Sequence, residues 1–506
     1  MTRETTATTR VTLGTPAGGA RWGSLANLQD WLRSALFRPT ASGALGGRKF
    51  LAGAAFVVVG AAISLSRTRG AGALNTIWIE DASHFLNDAL HESVLNTLTT
   101  QLNGYYNVIP RSFTAVAVLF PLSWVPAVMS IFAAMQYALF GLIAYIASGP
   151  HLESRWLRLL VAAPTCVIPL GYTQANNDLA TVQFIALYGT FWLLLWIPGT
   201  LAGRVLSPVI ILGVTLTSVL PLLLAPLALA RLLVDRSKNT RFLVACYALG
   251  LAAQLSLQLR GLSNRPINRY TGPWWSLRNY VARTVPRAIF GEKALGGAGT
   301  NPAGLPAALD IANKTEHLAL IGTAWLVVVA VIIIALARVT EPHWPLAVAA
   351  GFFSVFLFVG EIIDNLAIVQ PRYVIAPTLL LYTAIVALLR PRGVMRAAAA
   401  DSAPDVARQP GRAVSRAVNS RAKDSPAVGG RAGGARRAWY PVAAFACLLA
   451  VACVLNFRVT NGRSESPAWT SVVAAARQSC QQPGMTSYVY SHAWWAVHIP
   501  CGRLAR

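Results

Sequence analysis

An all-α bundle that crosses a membrane many times is predicted by three observations. Of the 506 residues, 55% are hydrophobic and only 12% charged, about half the charged share of an ordinary soluble domain. Apolar stretches recur from Lys49 to Phe457, many near the roughly 20 residues that a hydrocarbon core requires. The connectors between alternate stretches carry Arg or Lys, as cytoplasmic loops do.

Residues 1–48 read as a basic cytoplasmic arm, and no cleavable signal peptide is expected there. Within the arm, Leu25, Leu28, Trp31 and Leu32 share one helical face, the pattern of an amphipathic helix lying in the interface. The transmembrane core is expected over 49–389. Spans are placed near 50–66, 125–147, 159–172, 181–197, 206–218, 219–233, 242–257, 318–337, 346–363 and 374–389. A last span over 439–457 makes about 11, with a short re-entrant segment at 113–120. External loops are expected at 67–111 and 258–316. Residues 390–438, rich in Ala, Arg, Gly, Ser and Pro, read as a disordered basic linker on the cytoplasmic side. The remainder, 458–506, forms a small external cap.

This arrangement puts the N-terminus inside, the C-terminus outside and the protein in the plasma membrane. The formal net charge of +24 sits largely in the arm and the linker. There it meets anionic membrane lipid, so no nucleic-acid partner is expected. Loop 258–316 is external yet carries Arg260, Arg265, Arg269, Arg278, Arg283 and Arg287. Cys480 and Cys501 lie in the external tail, where a disulfide between them is expected. Cys166, Cys246, Cys447 and Cys453 fall within apolar spans as small packing residues.

Under this topology, polar groups gather at the outer face. The acidic pair Glu80-Asp81 stands among Trp78, Ile79, Phe85 and Leu86, a setting that suits a carboxylate to general-base work. Gly104-Tyr105-Tyr106 and Pro110-Arg111 precede the next apolar segment. Asn176-Asn177-Asp178 occupies an external turn, and Glu361, Asp364 and Asn365 precede Pro371-Arg372-Tyr373 at another. Transfer of a sugar from a lipid phosphate needs a base for the acceptor hydroxyl and cations against the departing phosphate. Arg111, Arg278, Arg283, Arg287 and Arg372 are the candidates for the cations. Each residue also has a plainer reading as a loop group at a helix end, where charge is cheap. Asp364 and Arg372 are then an ion pair, Asn176 an N-cap, and Asp88 and Glu92 a solvated face. His84 and His91 lack a third partner for a metal.

Taken together, the residues resemble the GT-C superfamily, integral-membrane glycosyltransferases that use polyprenyl-phosphate sugars. The likeness is closer to actinobacterial membrane proteins of this type. It rests on Glu80-Asp81, Gly104-Tyr105…Pro110-Arg111, Asn176-Asn177, and the cap residues Trp469, Cys480, Trp495 and Cys501. Ala82 stands where glycine is expected, and Gln183 where tryptophan is usual.

The resemblance implies a lipid-linked sugar as co-substrate and an envelope glycan or lipid as acceptor, with a divalent metal left open. Asp81 would be the catalytic base and Glu80 its support. Arg111 and Arg372 would hold the donor phosphate, and Asn177 or Asp178 the sugar. Tyr106, Asn176, Arg278, Arg283, Glu361, Asp364 and Tyr373 complete the expected substrate-binding set. The rival expectations are a transporter or flippase of envelope lipids or polysaccharide, and a non-catalytic scaffold, which predicts no deep cavity around Asp81 and tolerance of substitution at Glu80 and Asp81.

Overall fold

Hydropathy and helix length settle the frame. Among the described residues, five helices are long and apolar enough to cross a membrane: Gly47–Leu65, Leu122–Ala147, Lys238–Leu259, Leu318–Leu336 and Trp344–Ile362. Five shorter apolar helices accompany them: Leu179–Leu195, Leu201–Thr217, Leu220–Val234, Arg372–Leu388 and Tyr440–Leu455. These come from a computed structural model that describes residues 25–40, 46–170, 177–260, 272–295, 315–364, 371–392, 438–458, 462–492 and 495–504. The chain is thus a multi-pass helical protein of membrane type. Most of the basic linker lies outside the described residues.

The segment expected to span 159–172 is instead two short helices, Arg155–Ala162 and Pro164–Val167. The proline ring has no N–H to continue the ladder, and the helix restarts at it. Where a short re-entrant segment was expected at 113–120, the short helix is Val108–Ala117, and Val125–Ala147 follows as a long helix.

Burial sorts the helices into inner and outer positions. Every residue of Ile375–Leu388 is buried, and so is nearly all of Val182–Leu195. Helices apolar on all sides belong at the centre of a bundle. Gly47–Leu65 leaves Phe50, Leu51, Val58 and Val59 exposed, the surface a lipid would cover. Its inner side approaches closely through small residues: a Cβ on Gly60 would lie 3.0 Å from that of Ala138. Such contacts let membrane helices pack without a hydrophobic drive between them.

One end of the bundle carries the N-terminal helix α1 (Leu25–Ala35), where Leu28 and Trp31 stay exposed and Phe37 anchors the following turn. Arg33 donates to the Val234 carbonyl, and the Thr40 amide to that of Ile197. At this same end Arg390 ion-pairs with Glu153 and Glu341. The opposite end holds the acidic pair and the C-terminal cap.

The cap is a helix, Trp469–Ser479, followed by strands β1 (Ser487–His492) and β2 (Trp495–Pro500) in an antiparallel pair. Trp495, Val497 and Ile499 alternate inward, as a strand with one covered face requires. The Cys480–Cys501 disulfide closes the hairpin onto the helix, with Cα atoms 5.5 Å apart. Alkylation of the unfolded, unreduced protein should therefore modify the four free cysteines Cys166, Cys246, Cys447 and Cys453. Six modified cysteines would contradict the bridge. A loop of this size contributes about 3 kcal/mol, so reduction should lower thermal stability.

Candidate functional site

The site grows from one unusual backbone position. Ile79 has φ of 33°, a conformation that a β-branched residue rarely takes. The chain then enters a π-helical turn, Asp81–Leu86, a form found mostly as single turns inside helices and frequently at functional sites. The two neighbouring carboxylates consequently meet different surroundings.

Glu80 lines a partly open pocket, together with Phe85, Tyr105, Phe184, Arg372 and Tyr373. Its Oε1 accepts from Arg372 Nη1 at 3.2 Å. Its Oε2 is buried with no hydrogen-bond partner, and so is Arg372 Nε. The Arg372 guanidinium also lies near two rings, 5.5 Å from the centre of Tyr373 and 6.0 Å from that of Phe184. Gln183 adds a third unpartnered polar atom, Oε1, to the cavity wall.

Another wall is a tight turn. Asn103 and Gly104 have φ of 54° and 79°, the left-handed pair that Asn-Gly supplies cheaply, and Leu102 and Tyr105 close the turn by mutual amide–carbonyl bonds. Asn107, also left-handed at 54°, donates from Nδ2 to the Leu102 and Tyr105 carbonyls. The turn therefore brings Tyr105 to the cavity, whereas Tyr106 is half-buried outside it.

Asp81 is 3% exposed and does not line the cavity. Its carboxylate accepts the Leu179 amide at 2.9 Å and the Ala180 amide at 3.0 Å, fixing the start of the central helix. Asp178, 1% exposed, lies beside it. Burial pushes both carboxyls up, and the Asp81 charge pushes Asp178 further, well above the usual range.

A carboxyl raised on folding holds its proton more tightly folded than unfolded. Its stabilising contribution is complete at acid pH and is lost as pH rises through the folded value. Thermal stability of the wild type should fall as pH rises above the ordinary carboxyl range, and Asp178→Asn, neutral throughout, should flatten that slope. An unchanged slope would mean that Asp178 does not set the pH dependence.

Arg463, from the cap, is the group that sequence reasoning missed. It donates to the Asn177, Ala73 and Thr76 carbonyls and to the Thr76 and Ser130 hydroxyls, at 2.7–3.2 Å. Its charge also pulls down on both carboxyls of the Asp81–Asp178 pair. No spacing or composition near Gly462-Arg463-Ser464 signals this role.

Other expected residues have been given different tasks. Arg111 is fully buried, ion-paired to Asp88 at 2.8 Å and set over the Phe85 ring. It is engaged in holding the loop, and Asp88 does not belong to a solvated face. Asn177, with φ of 60°, spends its amide on Ser64 and Thr68 and is fully buried. Arg278 is exposed, whereas Arg283 and Arg287 are buried. Glu361 is buried near the end of its helix. Asn176 lies outside the described residues, as does the side chain of Asp364. Among the described residues, no group of three or more His, Cys, Asp or Glu is placed to hold a metal.

No protein-family model, curated protein or solved structure matches this chain.

Proposed function

We propose that this protein is a membrane glycosyltransferase that moves a sugar from a polyprenyl-phosphate donor to an envelope glycan or lipid on the outer face. The observation that carries the reading is the Glu80 carboxylate. One oxygen is steadied by Arg372 while the other is buried, unpartnered and beside an aromatic-walled cavity. Phe85, Tyr105, Phe184 and Tyr373 suit the apolar face of a sugar ring, and Gln183 offers its hydroxyls a polar partner.

Glu80, rather than Asp81, is the base in this reading, because both Asp81 oxygens are engaged by backbone amides. Glu80 Oε2 takes the proton of the acceptor hydroxyl as that oxygen bonds to the anomeric carbon. The carbon–oxygen bond to phosphate breaks, its electron pair leaving with the phosphate. A single displacement of this kind inverts the anomeric configuration. Asp81 and Asp178 shape the turn beneath the site and touch no substrate.

The test is incorporation of labelled sugar from polyprenyl-phosphate donors in membranes with and without the protein. Label that depends on both donor and protein supports the reading. Equal incorporation in the two membranes overturns it.

A further inference from the structure

The cap ends in a strand with one open edge. Among the described residues its sheet has two strands, so β1 is paired on one side alone. The register against β2 runs one-to-one from Ser487–Pro500 to His492–Trp495, with no bulge. Neighbouring hydrogen bonds show which backbone groups face the open side. The Cys501 amide donates to the Thr486 carbonyl, and the His498 amide turns away from β1 to the Asn87 side chain. Pro500 has no N–H to give. Ser487–Pro500 and Val489–His498 are therefore non-hydrogen-bonded pairs of the ladder. The amides and carbonyls of Ser487, Val489 and Ser491 consequently point outward from the free edge.

Open edges are commonly blunted by charged side chains, proline or a bulge. The strand Ser487-Tyr488-Val489-Tyr490-Ser491-His492 has no Asp, Glu, Lys, Arg or Pro, and at its centre Val489 is 47% exposed. The open pattern is also its own complement. Set antiparallel against itself about Val489, it places Ser487 opposite Ser491 and Val489 opposite Val489, closing about six hydrogen bonds.

The fold supplies the orientation that two copies in one bilayer need. Tyr490 and His492, on the covered face, meet Trp469 and Trp78. Trp469 in turn donates to the Leu122 carbonyl, at the start of a long apolar helix. The sheet thus lies face-down on this end of the bundle. The two-fold axis of such a pairing is perpendicular to the sheet, so it runs along the membrane normal, as the axis of two equally inserted copies must. A strand pair is small beside the roughly 800 Å² per partner of a standard interface. Confinement to one bilayer offsets this by raising the effective concentration.

We propose that β1 is a dimerisation edge, pairing antiparallel with β1 of a second copy of this chain to join two caps in a four-stranded sheet.

Cysteines introduced along β1 test the register by oxidation in membranes, read in protein that keeps the Cys480–Cys501 bridge, with wild type as background. Val489→Cys should cross-link to its own copy, because a hydrogen-bonded pair sets Cα atoms about 5.5 Å apart, within disulfide reach. Ser487→Cys and Ser491→Cys should each stay monomeric, since like positions lie about 14 Å apart. Co-expressed, these two should cross-link to one another. Val489→Pro keeps the β1–β2 ladder, because that N–H faces outward, and in the co-expressed pair it should cut cross-linking about tenfold or more.

No cross-link from Val489→Cys overturns the proposal. Equal cross-linking at all three positions does so too, since it marks random collision, as does cross-linking unchanged by Val489→Pro. A Val489→Cys cross-link to a different protein in place of its own copy would assign the edge to another chain and overturn the dimer. Sugar transfer is not read in this experiment, so failure here leaves the Glu80 reading intact.

Discussion

Replacing Arg463 by alanine is expected to cost the folded protein about 3–5 kcal/mol, the usual penalty for removing one partner from a buried ionic network. The side chain is 4% exposed and serves three carbonyls and two hydroxyls at once. Its loss takes the donor from the Asn177 and Thr76 carbonyls, while Ala73 keeps the Ser130 hydroxyl. It also removes the cation beside the Asp81–Asp178 pair. Lysine should recover part of the loss, as a point charge without the planar fork. Denaturant unfolding of the purified protein checks both values. A change below about 1 kcal/mol for alanine would mean the acceptors find other donors.

The largest expected effect on activity belongs to Glu80. Removing a general base typically costs about 10²–10⁴-fold in rate, and Glu80→Gln keeps the size and shape of the side chain while removing its basicity. The loss should appear in kcat, with the acceptor KM little changed. Glu80→Asp retains a carboxylate but withdraws it by one methylene, so an intermediate rate is expected. Arg372, which holds Oε1, should behave as an orienting residue, with Arg372→Lys milder than Arg372→Ala. Equal kcat in wild type and Glu80→Gln would remove Glu80 from the chemistry.

Much of the architecture was legible because it depends on local composition. Hydropathy located the long helices, and Val125–Ala147 has the bounds its apolar run suggested. The cap disulfide followed from two cysteines in a polar tail. The acidic pair stood out because carboxylates among Trp78, Ile79 and Phe85 are rarely accidental. Which of the pair reaches the cavity was not legible, since that depends on the φ of Ile79 and on a π turn, neither of which has a sequence signature.

Long-range partnerships were hidden for a different reason. Arg111 finds Asp88 across 23 residues, and Arg463 reaches Thr76 across 387. In sequence each is only a basic residue near an apolar segment, and a lipid phosphate was as good a partner as a carboxylate or a carbonyl. The break at Pro164 within the segment expected near 159–172 has a local cause, a proline inside an apolar run.

The most direct test compares wild type, Glu80→Gln and Asp81→Asn in one assay of sugar transfer from decaprenyl-phosphate donors in membranes. The proposed site predicts that wild type releases decaprenyl phosphate as label enters glycan, that Glu80→Gln loses both, and that Asp81→Asn keeps measurable turnover when inserted normally. Full activity in Glu80→Gln with none in a well-inserted Asp81→Asn would contradict the assignment of the base.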